Sequence, residues 1–266
     1  MGALALLILC AIPLLRPRRD HPLWSVLRQY RYAHRGFHDK PRIPENSLPA
    51  FRRAVECGFG AELDVHLTKD GRLAVIHDSS LQRTCGAPGN VEDFTAEELA
   101  QFRLEGTEER IPFLEEVLPL FVGKTPLVIE TKPANGNWDA LTEATAACLD
   151  RFSVSCCVES FDPRSLLWLK KNRPDIVRGQ LAQNFLLHPS GLSFLQRWVL
   201  THLLCNRWTY PDFIAYKFED RKGLAPKVCC HLLGAQEFNW TIRSLPDLRR
   251  AEREGHLAIF EGFDPR

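Results

Sequence analysis

The sequence predicts an α/β protein folded as a closed TIM (β/α)8 barrel, and three observations lead there. Short β-rich apolar runs alternate along the chain with helix-periodic segments, the pattern of a parallel sheet. Nine such runs are present, enough for eight barrel strands and one extra. No Gly-rich phosphate loop follows the first run, as an open dinucleotide-type sheet would require. A chain of 266 residues suits a single barrel and can bury a large core.

The β-rich runs cover residues 32–34, 61–65, 73–77, 127–131, 156–161, 177–181, 213–216, 238–242 and 257–260. Lys69-Asp70-Gly71, between the second and third, reads as a tight turn, so a hairpin arm accounts for the strand beyond eight. Residues 47–57 and 96–103 read as helices. The second is opened by Thr95 with Glu98 three residues on, a capping box. Pro44-Glu45-Asn46-Ser47 introduces the first, with Asn46 or Ser47 as its N-cap. Glu45 is assigned mainly a structural role, approach to a metal being the alternative.

Charge and cysteine usage narrow the function classes. The chain has 34 basic and 33 acidic residues, a formal charge of +1, so no field attracts a polyanion and a small-molecule partner is expected rather than nucleic acid. Nine cysteines without CxxC spacing leave one unpaired under any bridging. A disulfide scaffold is not expected, and a reducing compartment fits.

Two regions follow from hydropathy: a hydrophobic leader over residues 1–20 and a catalytic barrel over residues 30–266. Within the leader, residues 3–15 are apolar apart from Cys10 and Pro13, and Arg16, Arg18 and Arg19 follow. The charge comes after the apolar run, not before it as in a cleaved secretory signal. The run is shorter than the roughly 20 residues that span a bilayer. If it inserts, the arginines hold the barrel on the cytoplasmic side. The expected location is therefore the cytoplasmic side of a membrane, or the cytoplasm.

The chemistry concentrates between Ala33 and Asp78. Alternate strand residues share a face, so Glu62 and Asp64 project two carboxylates to one side while Leu63 and Val65 take the other. Glu130, ending the run Val128-Ile129-Glu130, brings a third to the same rim. An oxygen-only set without cysteine or paired histidines favours a hard divalent metal, Ca2+ or Mg2+, over zinc. Lys132, two residues beyond Glu130, is placed to meet a phosphate or hold a carboxylate. His34 and His77 each end a predicted strand, which in a barrel is the catalytic face. Two histidines can divide proton transfer between nucleophile and leaving oxygen. Arg35 offers a planar fork of donors for a phosphate.

The order His34-Arg35-Gly36, Pro44-Glu45-Asn46-Ser47 with Ala50-Phe51, Glu62-x-Asp64 with Thr68-Lys69-Asp70-Gly71, then His77-Asp78 resembles the signature of the glycerophosphodiester phosphodiesterase family, in its membrane-associated bacterial form. The likeness continues more weakly in Leu81 with Arg83-Thr84, Glu130-x-Lys132, Ser160-Phe161 and Trp240-Thr241, and spans the chain from about Tyr32 onward. It implies a barrel of the PLC-like phosphodiesterase type and metal-dependent hydrolysis of a glycerophosphodiester, such as glycerophosphocholine or glycerophosphoethanolamine, to sn-glycerol 3-phosphate and an alcohol. By the family's pattern His34 and His77 are the acid/base pair, Glu62, Asp64 and Glu130 hold the metal, and Arg35 and Lys132 hold the phosphate. The resemblance also implies that the substrate's own glycerol hydroxyl can attack first. The sequence departs from the pattern at Phe260-Glu261-Gly262-Phe263-Asp264, where family members often carry Thr-Asp.

An apolar insertion at residues 192–208 has the three- and four-residue spacing of an amphipathic helix. Two placements fit it: a barrel helix on the sheet, or a lid or membrane-facing surface beside the mouth. Two further function classes therefore stand beside the first: cleavage of lysophospholipids to lysophosphatidic acid, and a non-catalytic phosphodiester or lipid sensor. The oligomeric state is left open.

Overall fold

In a computed structural model, residues 15–188 and 191–266 are described, and most of the expected leader, residues 1–14, lies outside the described residues. Nine strands form one sheet: β1 (Tyr32–Ala33), β2 (Gly60–Leu67), β3 (Leu73–Val75), β4 (Leu127–Thr131), β5 (Cys156–Ser160), β6 (Val177–Ala182), β7 (Phe213–Lys217), β8 (Gln236–Ile242) and β9 (Leu257–Phe260). β1 pairs in parallel with both β2 and β9, which closes eight parallel strands into the predicted barrel. The ninth strand, β3, runs antiparallel to the upper part of β2, with Val65 opposite Val75 and Leu67 opposite Leu73. It is the hairpin arm expected from Lys69-Asp70-Gly71, and Gly71 has the positive φ of 81° that the turn requires.

The helices that build the outer layer are α1 (Leu48–Glu56), α2 (Leu114–Phe121), α3 (Trp138–Leu149), α4 (Pro163–Asn172), α5 (Phe194–Thr201) and α6 (Leu245–Arg253). Outward residues Leu63, Val65, Leu127, Ile129 and Val158 meet Phe51, Val117, Phe121 and Leu166 from these helices in one apolar layer. Truncating a fully buried member such as Phe51 to alanine would cost about 3–5 kcal/mol. Inward residues Tyr32, Val128, Cys157, Val177, Phe213 and Phe238 fill the lower barrel, and Trp24 and Leu27 join them as a plug. Phe213 and Phe238 stack with ring centroids 4.8 Å apart. The floor is solid, so only the upper rim is left for chemistry.

Two predicted helices prove shorter than expected. The capping box of Thr95 and Glu98 is present, but the helix it opens covers only Ala96–Leu99. Leu99 and Phe102 are drawn into a satellite core, where Phe102 meets Phe94 edge-to-face, and the chain then turns at Glu105 and Gly106, both at positive φ. The insertion splits into α5 and a short turn at Asn206–Thr209, separated by Leu203 at φ 56°. Arg18, expected to flank the leader, pairs with Asp212 at 2.6 and 2.8 Å. Among the described residues the cysteines are free, and no helix is long and apolar enough to cross a membrane.

Candidate active site

The site begins in the backbone. Immediately after β1, Arg35 and Gly36 adopt left-handed conformations, φ 53° and 78°. A non-glycine residue held there costs about 1–3 kcal/mol. The surroundings hold it: the Arg35 N–H donates to Glu62 Oε2 at 3.0 Å, and the Arg35 carbonyl accepts from the Asn46 N–H at 2.9 Å. Gly36 cannot be replaced freely, since a Cβ would lie 2.8 Å from the Ala50 methyl of α1.

Pro44-Glu45-Asn46-Ser47 divides its work among its members. Ser47 is the N-cap of α1, its hydroxyl accepting from the Ala50 N–H. Asn46 is free for the site and donates from Nδ2 to Asp64 Oδ2 at 2.9 Å. Glu45, only 3% exposed, receives Arg35 Nη1 at 2.8 Å, Lys40 Nζ at 2.6 Å and Arg83 Nη2 at 2.7 Å. It fixes the cations around the mouth, the structural role expected of it.

Strand register assembles the acids. Asp64 on β2 is paired with Glu130 on β4, and Glu130 with Glu159 on β5, so three carboxylates lie in one inward row. Glu62 shares the Asp64 face two residues below it. Carboxylate oxygens of Glu62, Glu130 and Glu159 lie within 4.8 Å of one another, all buried. Lys132 Nζ reaches Glu130 at 3.0 Å and Asp64 at 3.3 Å, and Arg35 Nε lies 3.5 Å from Asp64.

The electrostatics show a surplus of negative charge. Burial and the nearby Asp64 and Glu130 carboxylates push Glu62 well above the usual carboxylate range. Burial, with Glu130 and Asp64, does the same to Glu159. Burial also raises Glu130, to about 7, against the opposing pull of Lys132. At Asp64 burial is outweighed by Lys132, His77, Arg35 and the Asn46 amide, which keep it ionised. Asp64 Oδ1 and Glu159 Oε2 are buried without a hydrogen-bond partner. A buried all-oxygen set with orphaned acceptors fits a hard divalent cation.

Both histidines are anchored alike. His34 turns Nδ1 toward Glu261 Oε2 at 3.4 Å and Nε2 toward Glu62 at 3.9 Å. His77 donates Nδ1–H to Asp78, which Arg83 holds from its other side. Each ring thus turns Nδ1 to a carboxylate, hydrogen-bonded at His77 and at 3.4 Å at His34. Burial lowers both, His77 to about 4, so both are neutral near pH 7. A cavity of about 160 Å³ is lined by six of the seven expected residues, His34, Arg35, Glu62, His77, Glu130 and Lys132. The seventh, Asp64, lies against them beneath Lys132 and Arg35.

His77 arrives by an unexpected route. It does not end a barrel strand; it follows β3, which descends from a hairpin standing above the rim, and the Ile76 N–H bonds the Asp64 carbonyl on the way. Glu159, Glu261 and the hydrogen bond from Asn46 to Asp64 were not read from the sequence. Glu159 is one acid in an apolar run and its partnership with Glu130 is a long-range register. Glu261 sits where the pattern expects an aspartate neighbourhood, and its place after β9 was the available signal. His38 shares Glu261 with His34, its Nε2 lying 3.4 Å from Oε1.

Beside the mouth lies an apolar groove of about 610 Å³, lined by Phe161, Phe185, Leu192, Leu195, Val199 and Leu200. Phe161 also lines the polar cavity and meets Trp240 and Phe185 edge-to-face. The outer side of α5 leaves Phe194 68% and Trp198 41% exposed.

A closed barrel with paired histidines, buried carboxylates and two cations at its rim defines a class: barrel hydrolases that act on anionic oxygen-rich substrates. Residues 34–192 match the Glycerophosphoryl diester phosphodiesterase family, and the chain belongs to that family. It is 34% identical over 233 residues to a glycerophosphodiester phosphodiesterase of Caldanaerobacter subterraneus subsp. tengcongensis, covering 84% of this chain and 89% of that protein. A second, from Bacillus altitudinis, is 38% identical over 59% of this chain and 68% of its own length. Among solved structures, an Oleispira antarctica phosphodiesterase in complex with the product sn-glycerol-3-phosphate superposes with a TM-score of 0.70 at 23% identity, covering 87% of this chain and 92% of that one, a likeness of fold.

Proposed function

We propose that this chain hydrolyses small glycerophosphodiesters to sn-glycerol 3-phosphate and an alcohol, with Mg2+ or Ca2+ bound by Glu62, Asp64 and Glu130 and with Glu159 beside them. The observation that carries this reading is the pair His34 and His77, each with Nδ1 turned to a carboxylate, Glu261 or Asp78, and both lining one small cavity with Arg35 and Lys132. Arg35 and Lys132 bind the phosphate oxygens and offset charge that develops in the transition state. One histidine Nε2 takes the proton of the attacking hydroxyl, and the other delivers a proton to the departing alcohol oxygen. The divalent cation, when bound, polarises the phosphoryl group and neutralises its oxygens. Phe161, Leu181, Trp240 and Ile259 close the remaining wall against water.

The deciding assay is release of glycerol 3-phosphate from glycerophosphocholine and glycerophosphoethanolamine in Mg2+, Ca2+ or chelator, with His34→Ala as control. Cation-dependent release that disappears in the control supports the proposal. A folded chain inert toward both diesters in every ion overturns it and leaves the sensor reading.

A second reading is favoured by the apolar groove that shares Phe161 with the cavity. It would receive the acyl chain of a lysophospholipid, with Phe194 and Trp198 and the N-terminal residues resting on the cytoplasmic face of a membrane. Turnover of lysophosphatidylcholine in preference to glycerophosphocholine, lost when Leu195 and Val199 are changed to serine, supports this reading. Equal flotation on liposomes of the full chain and its Phe194→Ser/Trp198→Ser variant removes α5 from the membrane contact.

A further inference from the structure

Most outward residues of the barrel strands are apolar, and β8 departs from that pattern. There Glu237 and Asn239, 2% and 0% exposed, point away from the cavity, since Phe238 and Trp240 take the inward face. A buried carboxylate on such a face needs a partner. Its neighbours are His256, which precedes β9, and His231 on the π-helix Lys227–Leu232. One ligand atom from each of His231, Glu237 and His256 can be chosen so that all lie within 4.8 Å of one another.

The hydrogen bonds around this cluster are those of a metal site's outer shell. Asn239 Nδ2 donates to Glu237 Oε1 at 2.7 Å, and Asn239 Oδ1 lies 3.0 Å from His256 Nδ1. The amide oxygen can only accept, so His256 carries its proton on Nδ1 and presents a bare lone pair at Nε2. That lone pair faces Glu237 Oε2 at 3.6 Å, too far for a hydrogen bond. Two lone pairs aimed at one point are satisfied by a cation between them. Ligand atoms on a tetrahedral zinc are about 3.4 Å apart, given bonds of about 2.1 Å. The 3.6 Å separation is close to that edge. Two imidazoles and one carboxylate select zinc-class ions over Mg2+ or Ca2+.

From this geometry we infer a second metal site, for a zinc-class divalent ion held by His231, Glu237 and His256, on the outside of the barrel near the N-terminal ends of β8 and β9. It is remote from the rim cavity and holds the π-helix to the barrel wall, which is a stabilising task.

The test separates it from the rim site by working in a Glu62→Gln chain. That protein is loaded with Zn2+ or Co2+, dialysed, and compared with Glu62→Gln/His231→Ala and Glu62→Gln/His256→Gln, each checked for folding by circular dichroism. His231 is exposed, so its removal leaves the core intact. The expected result is one additional equivalent of retained Zn2+, visible d–d absorption in the Co2+ form, and a rise in thermal midpoint with Zn2+, all absent from the His231→Ala protein. Its Zn2+ affinity should fall by at least ~100-fold, since loss of an outer-shell partner alone costs ~10–100-fold. Equal metal retention with and without His231, or none in the Glu62→Gln chain, overturns the inference.

Discussion

Glu261 and His34 face each other across 3.4 Å, and the same carboxylate holds His38 at an equal distance through its other oxygen. The two imidazoles beside it, with Arg243, hold the Glu261 carboxyl well below the usual range. An acid after the last strand thus faces a histidine after the first. Glu261→Gln should lower kcat by roughly 10- to 100-fold with little change in KM, less than the ~10²–10⁴ at stake when a proton carrier itself is removed. Steady-state kinetics on glycerophosphocholine decide it; an unchanged kcat would detach Glu261 from His34.

His34→Ala and His77→Ala should each reduce kcat by about 10²–10⁴. The double variant should be little worse than the poorer single one, because the two act in one proton-transfer sequence. Multiplicative losses in the double variant would count against a shared step.

Glu45 makes acid stability testable. Burial opposes its charge, but Arg83, Arg35 and Lys40 overcome that and hold its carboxyl far below its ordinary 4.5. A depressed folded-state pKa contributes stability that is fully present above the unfolded value and lost as pH falls through the folded one. The thermal midpoint should therefore drop as pH is lowered from 6 toward 3. Glu45→Gln should start lower at pH 7 and show a shallower slope. Parallel slopes would mean that other carboxylates control acid unfolding.

Gly36→Ala should destabilise the chain by about 1–3 kcal/mol, because the new methyl meets Ala50 at 2.8 Å on a left-handed backbone. Urea unfolding measures this. A change below about 0.5 kcal/mol would mean that α1 shifts without penalty.

Much of this architecture is visible in residue order, and what is hidden has a physical cause. Alternation alone puts Glu62 and Asp64 on one side of β2, and Glu130 closes an apolar run at the same rim. Glu159 needed the parallel register of β4 and β5, a contact that no local pattern encodes. The rule that catalytic groups follow barrel strands serves His34 but reaches His77 by accident, since β3 runs the other way. The helix expected at 96–103 failed at its C-terminal half because Leu99 and Phe102 found tertiary partners that helical continuation would have denied them. Asn46 and Ser47 were equal candidates for the cap on sequence grounds; Asn46 takes a left-handed backbone, φ 53°, and Ser47 caps the helix.

The lining of the rim cavity divides unevenly along the chain. His34, Arg35, Glu62, His77, Glu130 and Lys132 all come from the first half, while Phe161, Leu181, Trp240, Thr241 and Ile259 come from the second, with Glu159 and Arg243 as its charged members. The groove and α5 also belong to the second half. The reactive side chains and the apolar wall are therefore written on separate stretches of the gene. A crossover near residue 133 would leave all seven reactive side chains in their own inherited neighbourhood, with the fit of Glu159 and Glu261 to be renegotiated.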